Sequence, residues 1–158
     1  MTATVGRPSG LRSRLRQSGQ LIPLFALSIF VLMGMMALVI DVSWYWSNTL
    51  RVQRAADAAA LAGAVWLPGN VPSAYSAART EATKNGYTGG GAITVSPIQD
   101  SQAPGGTNPR QLDVTVTAQV NTFFMRVFGI NSVTATRSSK AEYIQPVPMG
   151  SPLNYYGV

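Results

Sequence analysis

The sequence predicts an α+β protein in which a long N-terminal transmembrane helix continues as a stalk and packs on a small antiparallel sheet. Three observations carry that expectation. Residues 20–40 (QLIPLFALSIFVLMGMMALVI) form a run of 21 residues without a charge, long enough to cross the hydrocarbon core of a bilayer. Residues 41–67 continue from it without a Gly-Pro break but turn polar and alanine-rich. Residues 111–120 alternate strictly between apolar and polar side chains, the pattern of a strand with one wet face.

At about 1.5 Å per residue, a helix over 20–67 is about 70 Å long. That exceeds the core of a chain of 158 residues, so function is expected to depend on membrane position and packing partners. Composition points the same way. The net charge of +6 belongs to the N-terminal tail, where Arg7, Arg12, Arg14 and Arg16 stand without an acid. Beyond Gly19, eight Lys/Arg face six Asp/Glu, leaving +2. A nucleic-acid surface needs a basic patch on the folded part, so no nucleic-acid partner is expected. The positive-inside rule instead places the N-terminus in the cytoplasm and the C-terminal head outside.

Taken in order, residues 1–19 read as a disordered basic cytoplasmic tail. A cleavable secretory signal would have an apolar region of about 7–15 residues and a small-x-small site. The run here is longer and is followed by Asp41-Val-Ser-Trp-Tyr-Trp, so a retained transmembrane helix over 20–40 is favoured. Pro23 sits in its first turn, where a missing N–H costs little. Gly34, with Ser28 and Ala37, offers small surfaces for helix contact in lipid. Asp41, Trp44, Tyr45 and Trp46 mark the outer boundary, since Trp and Tyr favour the headgroup region. Asp41 is expected to lie in that interface, the alternative being a basic partner on a neighbouring subunit.

Within the stalk, 41–67, the window 55–64 holds seven alanines, and Ala is the best helix former. Arg54 and Asp57 are spaced to pair on the exposed side. Ala56, Ala59, Ala60 and Gly63 form a small face that admits a sheet or another helix. Leu67-Pro68-Gly69 ends the helix, and an extracytoplasmic α+β head follows over 68–144. A second helix spans 73–85, with Ser73 as N-cap and Asn85-Gly86 as stop. Gly89-Gly90-Gly91 is a turn, because no strand precedes it and no Lys-Ser/Thr follows as a phosphate cradle requires. Strands follow over 92–98, 111–120 and 130–144. A polar loop separates the first two, and a short helical or irregular crossover (NTFFMRVFG) the last two. The Pro/Gly-rich stretch 145–158, with Tyr155 and Tyr156, is an extended tail.

The residue inventory argues against catalysis. There is no His and no Cys, so the commonest general base, the commonest zinc ligand and thiolate chemistry are all missing. The six acids form no D-x-D, H-E-x-x-H or EF-hand spacing. A Ser–Lys dyad through Lys84 or Lys140 stays formally open. No enzyme activity, cofactor or metal is expected.

Residues 19–68, GQLIPLFALSIFVLMGMMALVIDVSWYW followed by VQRAADAAALAGA, resemble the N-terminal segment of the TadE/TadG-like proteins of the Tad, or Flp, pilus-assembly system. A second stretch at 112–141, LDVTVTAQVNTFFMRVFGINSVTATRSSKA, is similar to their C-terminal part. The resemblance implies a single-pass component of the bacterial inner membrane or of the pilus itself. It would be a minor pilin-like structural protein serving pilus assembly and adhesion, without catalytic residues. Its partners would be the lipid bilayer and other Tad/Flp subunits, in a homo- or hetero-oligomer. Processed pilins are cut after a Gly and carry Glu at the fifth mature position. A cut between Gly19 and Gln20 would put Leu24 there. The rival expectation is a secreted binding module or adhesin released by removal of the apolar run.

Overall fold

The structure, a computed structural model, describes residues 21–145. Gly19 and Gln20, the arginine-bearing N-terminal stretch and Tyr155-Tyr156 lie outside them. Helix α1 runs Leu21–Ala64, α2 Val71–Lys84, and three strands follow: β1 Thr94–Gln99, β2 Gln111–Asn121 and β3 Ser132–Glu142. The strands form one antiparallel sheet in the order β1-β2-β3. A long apolar helix with a small three-stranded antiparallel sheet is the α+β arrangement that the sequence predicts.

Helix α1 is 44 residues long, about 66 Å at the standard rise. Pro23 falls in its first turn and Gly34 is the one Gly before Gly63, so nothing between them interrupts the hydrogen-bond ladder. Its two halves have different surroundings. Side chains over 21–40 are exposed except Ala37, which is half-buried. By length and composition this helix is able to cross a membrane. From residue 41 onward the buried positions are Asp41, Thr49, Val52, Ala55, Ala56, Ala59, Ala60, Gly63 and Ala64. From Thr49 on they recur three or four apart and line one face.

That face meets the sheet through Leu112, Val114, Val116, Ala118 and Val120 of β2, with Ala135 and Ala141 of β3, and meets α2 through Ala74, Ala78 and Ala82. Leu112, Val52, Val114 and Val116 are the largest fully buried side chains; the alanines between them let the backbones close in. The approach is tightest at Gly63. A Cβ there would run into the Leu112 side chain and come within 2.8 Å of the Ala74 carbonyl oxygen.

The helix ends at Ala64, three residues before the Leu67 boundary that the sequence suggests. Trp66 and Leu67 donate backbone hydrogen bonds to Gly63 and Ala64 in a turn, and Leu67 folds back into the core. Helix α2 begins earlier than expected. Asn70, not Ser73, is its N-cap: the Asn70 carboxamide oxygen accepts from the Ser73 amide at 3.0 Å. Pro72 explains the shift, since a residue without an N–H fits the first turn of a helix. The stop at Asn85-Gly86 matches expectation, with Gly86 at φ 90°.

In β2 all five apolar residues of the alternation are buried. Register pairs Thr94 with Thr117 and Gln99 with Leu112 on one side, and Gln111 with Glu142 and Asn121 with Ser132 on the other. β1 is an edge strand, which tolerates Pro97. Residues Thr134 and Ser138 of β3 accept hydrogen bonds from Tyr45 and Gln53 of α1, so β3 and α1 run in the same sense. The β2–β3 connection therefore sits beside the start of the packed half of α1. The β1–β2 connection lies at the opposite end of the sheet.

Candidate functional site

The candidate functional feature is the junction where the apolar half of α1 meets the head. Asp41 is the first charged residue after the apolar run, yet it is only 3% exposed. A buried carboxylate needs partners, and it has three. Its Oδ1 accepts from the Phe123 amide at 2.8 Å, and its Oδ2 from the amides of Phe124 at 2.9 Å and Met125 at 2.6 Å. These are the free N–H groups at the start of a 3-10 turn, Met125–Phe128, the kind of end that an acidic side chain satisfies well.

The turn is closed on itself. The Thr122 amide donates to the Asn131 carbonyl and the Ile130 amide to the Met125 carbonyl, while the Thr122 hydroxyl bonds the Ile130 carbonyl. Arg126 donates to the Thr122 carbonyl at 3.1 Å. Gly129 takes φ 83°, which allows the reversal. Burial pushes the Asp41 carboxyl upward, but the Met125, Phe123 and Phe124 amides and the Arg126 charge outweigh it and hold the group below the usual Asp value. Asp41 thus stays ionised and locks the β2–β3 connection onto α1.

The sequence places Asp41 in the headgroup interface, or against a basic group on a neighbouring subunit; the structure adds three amide partners within the chain. Neither reading includes donors 82 to 84 positions away along the chain. Trp44 is exposed and meets Phe123 edge-on, with ring centroids 5.5 Å apart. Trp46 is also exposed, on a different side of the helix, and Gly34 faces open space. Ala56, Ala60 and Gly63 lie farther up α1 in the core and do not join this site. Asp57 accepts from Gln53 at 2.8 Å instead of pairing with Arg54, because the i, i+4 carboxamide is in reach.

A second polar group occupies the far end of the sheet. Lys140 stands 3.3 Å from Asp100 and 3.6 Å from Asp113, and Asp100 also accepts from the Thr107 and Asn108 amides. The Asn108 and Thr107 amides and Lys140, against the opposing effect of burial, hold Asp100 below the usual carboxylate range. Asp100 in turn raises Lys140. Among the described residues no group of His, Cys, Asp or Glu is placed to hold a metal ion. The chemistry available at the junction is attachment.

Fold and site together define a long apolar helix carrying a small α+β head that is locked to it by a buried carboxylate. Residues 19–65 match the Tad family model, described as putative Flp pilus-assembly TadE/G-like. The chain thus carries a segment similar to TadE/G-like Flp pilus-assembly proteins. The matched residues take in the apolar run, Asp41 and the alanine-rich face, and stop short of 112–141. No curated protein and no solved structure matches the chain.

Proposed function

We propose that the chain is a membrane-anchored, minor pilin-like structural component of a Flp-type pilus-assembly apparatus. In this reading the N-terminus is cytoplasmic, the helix crosses the inner membrane once, and the head is extracytoplasmic. One observation carries it: a single helix, within the family match, is apolar and uncovered over 21–40 and builds the head's core over the rest. The arginines before residue 19 support the orientation. Exposure of the helix over 21–40 supports contacts with other pilus subunits, as homo- or hetero-oligomers, and a place in the pilus supports a part in adhesion. The role needs no catalysis by the chain itself.

Deleting the chain from a piliated cell and restoring it tests the role. Surface pili should be lost and then return, whereas unchanged piliation after deletion contradicts it. Crossing is tested separately with Gly34→Arg and Gly34→Leu, both of which the open space at Gly34 accommodates. A centrally placed Arg costs about 2.5–3.5 kcal/mol on insertion. The Arg variant should therefore lose carbonate-resistant membrane retention that the Leu variant keeps. Equal retention of the two contradicts a lipid setting for the run.

A further inference from the structure

The turn that Asp41 holds carries more exposed apolar surface than its attachment requires. Val127 is 84% and Phe128 83% exposed, and Phe123, Phe124 and Ile130 are exposed as well. Single exposed hydrophobes are ordinary, but five within residues 123–130 of one turn form a patch. The connection at the other end of the sheet, residues 100–110, is DSQAPGGTNPR and has no large hydrophobe.

Position says what the patch meets. Residues 21–40 rise about 30 Å, the thickness of the hydrocarbon core. Asp41 follows directly, so its three amide bonds bring the turn to the level where the hydrocarbon ends. Trp44, a residue type favoured at that level, packs against Phe123 of the same turn. The Asp41 charge is already satisfied by backbone donors, so bringing lipid against the junction strips no free carboxylate of water. Arg126, the one charged residue of the turn, is of the sign that lipid phosphates attract.

We propose that residues 123–130 are an interfacial lipid wedge. Val127 and Phe128 rest at the boundary between headgroups and acyl chains of the same bilayer that α1 crosses. The head is then held to the membrane at two points, the helix and the wedge, which restricts its tilt and rotation. This rests on the reading that α1 crosses the membrane, and the test separates the two.

The chain has no Cys, so single substitutions give unique labelling sites. The full chain is reconstituted in phosphatidylethanolamine–phosphatidylglycerol vesicles with an environment-sensitive fluorophore on Phe128→Cys. A parallel label on Val127→Cys leaves the Phe128 ring in place. Both should show blue-shifted emission, quenching by lipids with a nitroxide near the headgroup, and several-fold weaker quenching by iodide than a label on Ser101→Cys at the far end. A label on Phe30→Cys, quenched by mid-chain nitroxide lipids, reports crossing independently. Crossing with the Phe128 and Val127 labels open to iodide and untouched by nitroxide lipids overturns the wedge alone. An unquenched Phe30 label overturns crossing and the wedge together. Labels shielded from both quenchers, and exposed again as protein is diluted in lipid, would show that a second copy covers the patch, which also overturns the wedge.

Discussion

Asp41 does at residue scale what neither its neighbours nor its charge announce. Its carboxylate is the common acceptor for three consecutive amides, so Asp41→Asn replaces one acceptor oxygen by a donor facing donors. The variant should unfold at lower temperature, and hydrogen exchange at the amides of Phe123, Phe124 and Met125 should accelerate relative to the amides of β2. Exchange unchanged at those three amides contradicts the lock. The same contacts set a pH dependence. Asp41 and Asp100 are both held below the ordinary carboxylate value of about 3.9. Their stabilising effect is therefore complete above that value and is lost as pH falls through their folded-state values. Lys140, raised by Asp100, contributes in full below the ordinary Lys value and loses its share as pH rises through its folded value. Acid titrations of the melting temperature should show a steep fall below about pH 4, made shallower by Asp41→Asn and by Asp100→Asn.

The elements were legible to different degrees, for physical reasons. β2 was plain because one wet face and one packed face impose period two, and Leu112, Val114, Val116, Ala118 and Val120 obey it. The alanine-rich face of α1 was visible as a packing surface, but its partner was open between sheet and helix; at Gly63 the structure supplies both, Leu112 and Ala74. The N-cap of α2 is ambiguous in the sequence because Ser73 and Asn70 are both good caps, and Pro72 decides for Asn70. Asp41's role was not legible at all, since backbone amides leave no side-chain signature and lie in a segment distant in sequence. The hint was the turn itself, whose apolar residues break the alternation at 121–129. Gly63→Ala should cost about 1–3 kcal/mol by overpacking, and Leu112→Ala about 2–5 kcal/mol by leaving a cavity. Removing the Leu112 side chain relieves part of the Gly63→Ala clash, so denaturant melts of the double variant should fall short of the sum; additive costs contradict the contact. Asn70→Ala should cost about 1 kcal/mol, measured in the same way, and no loss contradicts its cap.

For the whole molecule, one rod serves two environments. Over 21–40 it has no partner within the described chain, and over 41–64 it is the wall on which sheet and second helix are built. Removing the apolar run as a signal near residue 41 would cut α1 and leave Asp41 at a frayed chain end, where its hold on the 123–125 amides is weakest. Retention of the rod is thus the claim on which both the proposed anchoring and the lipid wedge depend. The most direct test is the N-terminal sequence and intact mass of the mature protein recovered from the membrane fraction. The expected result is a membrane-bound chain that still contains residues 21–40, beginning either upstream of Gly19 or at Gln20. A mature chain beginning near Asp41 and recovered in the soluble fraction would contradict it.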